Sequence, residues 1–244
     1  MNAELRRSAV EFLIVSSLQL GVTPVVKYTA LSIFVERFLP SIKNNNRSLR
    51  KKHGDNWLLQ PLRQCNLQLF ALVSVWVSSK IHDTRPLSVQ SLKSLGDVAI
   101  KEQHYTTRDF LEAEVVLLQV LDFEIGASNV AYVFLEDFLI RLRKLARVGD
   151  LVKLKACMDI MDVLYETEET SVLYNSPDFL AAAILVASYV ISVPKQEHEF
   201  PLLSWVKFVS SFKEEDTLEL ARTILQHVLK QTTQETCQLW EGKG

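Results

Sequence analysis

Leu67-Gln68-Leu69-Phe70-Ala71-Leu72-Val73-Ser74-Val75-Trp76-Val77-Ser78-Ser79-Lys80 decides the fold of this chain. Wound as a helix, it leaves almost no polar side, and a helix apolar all round must be surrounded by others. It predicts a central rod from Cys65 to Lys80 with a bundle built about it. A second apolar helix, Phe110-Leu111-Glu112-Ala113-Glu114-Val115-Val116-Leu117-Leu118-Gln119-Val120-Leu121-Asp122-Phe123-Glu124-Ile125, follows it.

Outward from the rod, further helices are marked by period and by stop signals. Val10, Leu13, Ile14 and Leu18 recur at helical spacing between Leu5 and Leu20, and Gly21 with Pro24 ends that helix. Val26, Ala30, Ile33 and Phe34 share a stripe from Val25 to Leu39, with Thr23 as the expected N-cap, Pro24 at the first helical position and Pro40 as terminator. Ser41 to Pro61 breaks into a polar, basic, asparagine-rich loop. Pro86 and Ser88 open a helix through Ile100, and Thr106-x-x-Asp109 is a capping-box variant before the helix that carries Glu114.

The remainder repeats the scheme, with helices expected over Asn129–Ala146, Leu151–Tyr165, Pro177–Ile191, Leu202–Val209 and Asp216–Lys230. Phe179 to Tyr189 is again apolar on every side, and Ser176-Pro177 reads as a cap followed by a first-turn proline. The expected fold is all-α, two tandem helical bundles of about five helices each. Residues 1–126 form the first bundle, 127–231 the second and 232–244 a tail.

Composition fits this fold and narrows the chemistry. Of 244 residues 48% are hydrophobic and 23% charged, with only seven glycines and seven prolines, which favours helices with short connections. A net charge of -2 supplies no general attraction for phosphate backbones, so a nucleic-acid partner is not expected. Cys65, Cys157 and Cys237 are far apart with no Cys-x-x-Cys pair, which argues against disulfides or a zinc site. The start, Met1-Asn2-Ala3-Glu4-Leu5-Arg6-Arg7, lacks the order of a signal peptide. The uncharged run Phe179 to Val193 is 15 residues, short of the roughly 18 to 20 that span a bilayer. No membrane association is expected, and the location implied is nuclear, cytoplasmic or both.

Phosphate-cradling glycine loops, a Gly-x-Ser-x-Gly elbow and a His-Glu-x-x-His motif are all missing from the sequence, and His53, His82, His104, His198 and His227 stand apart. The chain is therefore expected to be a binding module and not an enzyme, with no cofactor, no metal and no small-molecule substrate.

Lys80 and Glu114, at the spacing and in the apolar settings quoted above, resemble the cyclin box. The resemblance is good from Arg7 to Ile125 and continues loosely to about residue 230. It implies that Lys80 and Glu114 hydrogen-bond a cyclin-dependent protein kinase near its regulatory helix, in a heterodimer. Val77 and Ile81, then Leu118, Phe123 and Ile125, match the family's apolar kinase-contacting surface. Arg7 and Glu36 match an internal arginine–carboxylate pair tying the first helix to the second, with Leu69 in the same core; with Arg6 adjacent, the register of the first helix is open by one residue. Where cyclins carry a Met-Arg-Ala-Ile-Leu motif for substrate peptides, this chain has Arg6-Arg7-Ser8-Ala9-Val10, so that groove is not expected. The 41–62 insertion and its exit Trp57-Leu58-Leu59-Gln60-Pro61-Leu62 resemble the small plant J-type cyclins. Arg47, Arg50, Lys51 and Lys52 form either a solvated basic loop or a nuclear-import or phosphate-binding patch. The function implied is a regulatory kinase subunit in cell-cycle or developmental control. The alternative is a transcription-factor-like or scaffold protein that uses the same helical fold without a kinase.

Overall fold

The computed structural model describes residues 3–44, 57–59, 61–126, 130–195 and 200–241. Helices are the only regular secondary structure among the described residues, and the chain divides into two compact units, Met1–Val130 and Ala131–Gly244.

The first unit contains α1 (Ala3–Gln19), α2 (Pro24–Leu31), a π-helical segment (Ser32–Phe38), α3 (Leu39–Asn44), α4 (Gln64–His82), α5 (Val89–Ala99) and α6 (Thr107–Val120). Helix α4 packs against α1, α2, α5 and α6, and every residue from Cys65 to Ser79 except Gln68 is buried. Enclosure on all sides leaves its hydroxyls no water to bond. Ser74 donates to the Phe70 carbonyl at 2.8 Å, Ser78 to Val26 of α2 at 2.7 Å and Ser79 to Trp76 at 2.8 Å, which avoids the roughly 1–3 kcal/mol of an unsatisfied buried hydroxyl.

The caps show which local signals the chain uses. Gly21, at φ +63°, supplies the left-handed residue that ends α1. Thr23 is extended at the N-cap of α2, but its side chain makes no capping bond, so the start rests on Pro24 at the first turn. At α6 the full capping box forms: Asp109 N–H donates to Thr106 Oγ1 at 3.3 Å, and Thr106 N–H to Asp109 Oδ2 at 2.7 Å.

Two expectations for this unit are corrected. Pro40 does not terminate its helix, which runs through it to Asn44. A proline ring collides with the carbonyl four residues back in an α-helix. The π segment just before Pro40 widens the turn, with the Leu39 N–H reaching five residues back to the Phe34 carbonyl, and this relieves the collision. Arg7 is also not the inward arginine of α1. The buried stripe is Arg6, Ala9, Val10, Leu13, Ile14, Ser16 and Ser17; Arg7 falls outside it and bonds Glu11 at 2.8 Å on the surface.

The second unit contains α7 (Ala131–Leu145), α8 (Val148–Leu151), α9 (Leu154–Glu166), a 3-10 segment (Glu169–Asn175), α10 (Pro177–Ser192), α11 (Leu202–Ser210) and α12 (Glu214–Glu241). Helix α10 packs against α7, α9, α11 and α12 and is buried from Leu180 to Tyr189. Pro177 starts it without a side-chain bond from Ser176; the Asp178 carboxylate instead accepts the Phe179 N–H at 2.9 Å. Close approach after α7 requires glycine, since a Cβ on Gly149 would lie 2.7 Å from the Arg143 nitrogen.

The helix expected over Leu151–Tyr165 is split, with α8 ending at Leu151 and α9 starting at Leu154. The final helix continues to Glu241, so most of the expected tail is helical. The basic cluster Arg47 to Lys52 and Asn129 lie outside the described residues.

Candidate functional site

The last turn of α4 leaves the core abruptly. Ser79 is fully buried, whereas Lys80, Ile81 and His82 are exposed. The Lys80 ammonium lies 2.5 Å from Glu114 Oε1 of α6 and 3.6 Å from the centre of the Trp76 ring, one turn back on its own helix. The ring is fixed in turn, because Trp76 Nε1 donates to the Leu87 carbonyl at 2.9 Å and the Leu87 N–H donates to Ser79 Oγ at 3.1 Å. At 38% and 17% side-chain exposure, the ion pair contributes at most about 1 kcal/mol to stability. Its larger effect is geometric, since it holds two charged groups in one place before any partner arrives.

A lysine ammonium has three donors and a carboxylate two acceptor oxygens. Neither is exhausted by the single bond between them, so both retain capacity toward an incoming backbone. His82 extends the order of this turn: its Nε2 lies 2.8 Å from Thr29 Oγ1, linking the end of α4 to α2.

Around the pair the apolar surface is built mainly from α6 and the turn after it. Ile81 is 41% exposed, Phe123 is 64% exposed, and Leu118 and Ile125 are half-buried. Val77 is corrected: at 2% exposure it belongs to the core. Ile81 shares its helix face but lies beyond the point where α4 emerges. Leu111 and Val115, 49% and 51% exposed, extend the stripe along α6. They, Trp76 and His82 were not singled out by sequence, although Trp76 and Lys80, and Leu111 and Val115, are each four apart, the spacing that places residues on one helix face.

Of the residues expected to form the internal pair and its core, Leu69 is fully buried. Glu36 is half-buried and accepts the Ser32 hydroxyl at 3.0 Å. Arg6, at 4% exposure, is the buried arginine of α1, and both Arg6 and Glu36 have partners.

Among the described residues there is no cluster of three or more His, Cys, Asp or Glu placed to hold a metal ion, and no helix long and apolar enough to cross a membrane.

Residues 1–126 match the model of the cyclin N-terminal domain. The chain belongs to the cyclin family. This cyclin is 56% identical over 225 residues to "Cyclin-J18" of Arabidopsis thaliana, covering 92% of this chain and 95% of that protein. It is 51% identical over 228 residues to "Cyclin-J18-like" of Oryza sativa subsp. japonica, covering 92% and 87% respectively. These relatives place it with the plant J-type cyclins. Residues 137–244 also match a model described as a domain of unknown function (DUF4259). The X-ray structure of a viral cyclin from herpesvirus saimiri superposes with a TM-score of 0.65 at 15% identity, over 93% of this chain and 86% of that one. At that identity the likeness establishes the cyclin fold alone.

Proposed function

We propose that this cyclin is a non-catalytic regulatory subunit that binds a cyclin-dependent protein kinase through the Lys80–Glu114 pair and the apolar surface of Ile81, Leu118, Phe123 and Ile125. The observation that carries the proposal is the pre-arranged pair itself, braced by Trp76 and flanked by exposed apolar side chains. Such a patch offers buried area for affinity and two polar groups for register.

A protein kinase is active when the glutamate of its regulatory helix pairs with the active-site lysine. A rigid surface that binds the inward position of that helix more tightly than the outward one shifts the population toward the active state. The Lys80 donors suit carbonyls at a partner backbone, and the Glu114 carboxylate suits its N–H groups. Cell-cycle or developmental control, in the nucleus, the cytoplasm or both, is the process this role fits.

Affinity purification of the tagged full chain, followed by mass spectrometry, tests the reading. A cyclin-dependent kinase recovered with the wild type and lost with Lys80→Ala/Glu114→Ala supports it. Equal recovery with both chains, or a wild type that brings down DNA-bound transcription factors and no kinase, contradicts it.

A further inference from the structure

Helix α6 ends without the glycine that commonly supplies a left-handed residue past a helix C-terminus. Asp122 and Phe123 take that conformation in succession, at φ +50° and +62°, a region bulky side chains rarely enter. Local bonds fold the turn back on the helix: Asp122 N–H donates to the Gln119 carbonyl at 3.1 Å, Phe123 N–H to Leu118 at 2.8 Å and Ile125 N–H to Phe123 at 3.0 Å. Backbone in such sparsely populated regions persists where its surroundings over-determine it.

A residue distant in sequence also reaches this turn. Arg37, at the end of the π segment, donates from Nη2 to the Glu124 carbonyl, next in sequence to Phe123. Its other terminal nitrogen, Nη1, is buried and has no hydrogen-bond partner among the described residues. Burying that nitrogen carries a desolvation cost, which the bond from Nη2 to the Glu124 carbonyl offsets. What the arrangement delivers is the Phe123 ring, 64% exposed, beside Leu118 and Ile125.

We infer that Arg37 is a positioning residue that fixes the left-handed turn after α6 and thereby presents Phe123 to the kinase, an inference resting on the functional reading above. Arginine suits the task because its planar fork is always charged and rigid, whereas lysine offers one compact cation on a flexible stem. Arg37 need not touch the partner to control affinity.

Two measurements on the full chain test this. Amide hydrogen exchange of Arg37→Gln is expected to be about tenfold faster at Phe123 and Ile125 and unchanged at Leu72 in α4, with Arg37→Lys in between. Unchanged exchange at the turn overturns the inference, as does loss of protection at Leu72 to the same degree, the mark of general destabilisation. With the kinase recovered in the purification above, Arg37→Gln and Phe123→Ala are each expected to weaken binding about tenfold, and the double variant also by about tenfold. A product near one hundredfold means that Arg37 acts independently of Phe123 and overturns the inference. A wild-type chain that captures no kinase removes the functional reading and the role of Phe123 with it; exchange still decides whether Arg37 holds the turn.

Discussion

Helices α4 and α10 solve one packing problem in two ways, and only one of them reaches the surface with charge. Both are enclosed by other helices of their own unit. Helix α4 fills its surroundings with large side chains and carries serines that bond backbone carbonyls. Helix α10 interleaves small ones, Ala181, Ala182, Ala183 and Ala187, with Leu180, Ile184 and Leu185, all fully buried. Their last turns diverge further. Helix α4 ends in Lys80, Ile81 and His82, tied to α6 and α2 by an ion pair and a hydrogen bond; α10 ends in Val190 and Ile191, about half exposed and uncharged. An apolar run of this kind specifies a core, while function depends on what the chain places where the run comes out.

The sharpest way to break the comparison is to empty the first core. Phe70 is fully buried with its ring 4.6 Å from that of Phe38, so Phe70→Ala is expected to cost about 3–5 kcal/mol in denaturant unfolding. A cost below about 1 kcal/mol would remove α4 from the centre of its bundle. The second core should fail in the opposite sense. Ala183→Leu, at a fully buried site, is expected to overpack α10 and cost about 1–3 kcal/mol, and a neutral or stabilising result would mean that the alanines are not there for close approach. Ser78→Val should cost about 1 kcal/mol through the lost bond to Val26. The smallest stability effect belongs to Lys80→Ala, under about 1 kcal/mol because the pair is partly solvated. A melting temperature close to wild type would separate its role from that of the core positions.

The two central helices were legible in sequence because an all-round apolar run can be satisfied only by enclosure. The capping box at Thr106 was legible because its bonds are local. What escaped depended on the depth or path of an element. Val77 and Ile81 share a helix face, yet the point where α4 leaves the core lies between them, and sequence period carries no depth. Arg6 and Arg7 differ by one helical step, which was enough to exchange a buried residue for an exposed one. Pro40 stops an α-helix by rule, but the π turn before it has no sequence signature. The Trp76 brace was within reach at four residues from Lys80; the Arg37 contact was not, because it joins residues 87 apart.

The central claim is that the exposed end of α4, with Glu114, is the kinase-facing element of this cyclin. Titrating a purified cyclin-dependent kinase with the wild-type chain and with Lys80→Ala/Glu114→Ala, and reading phosphotransfer, tests it most directly. The expected result is a shift of about thirtyfold or more in the concentration giving half-maximal activity, with both chains folded. Superimposable activation curves would contradict the account.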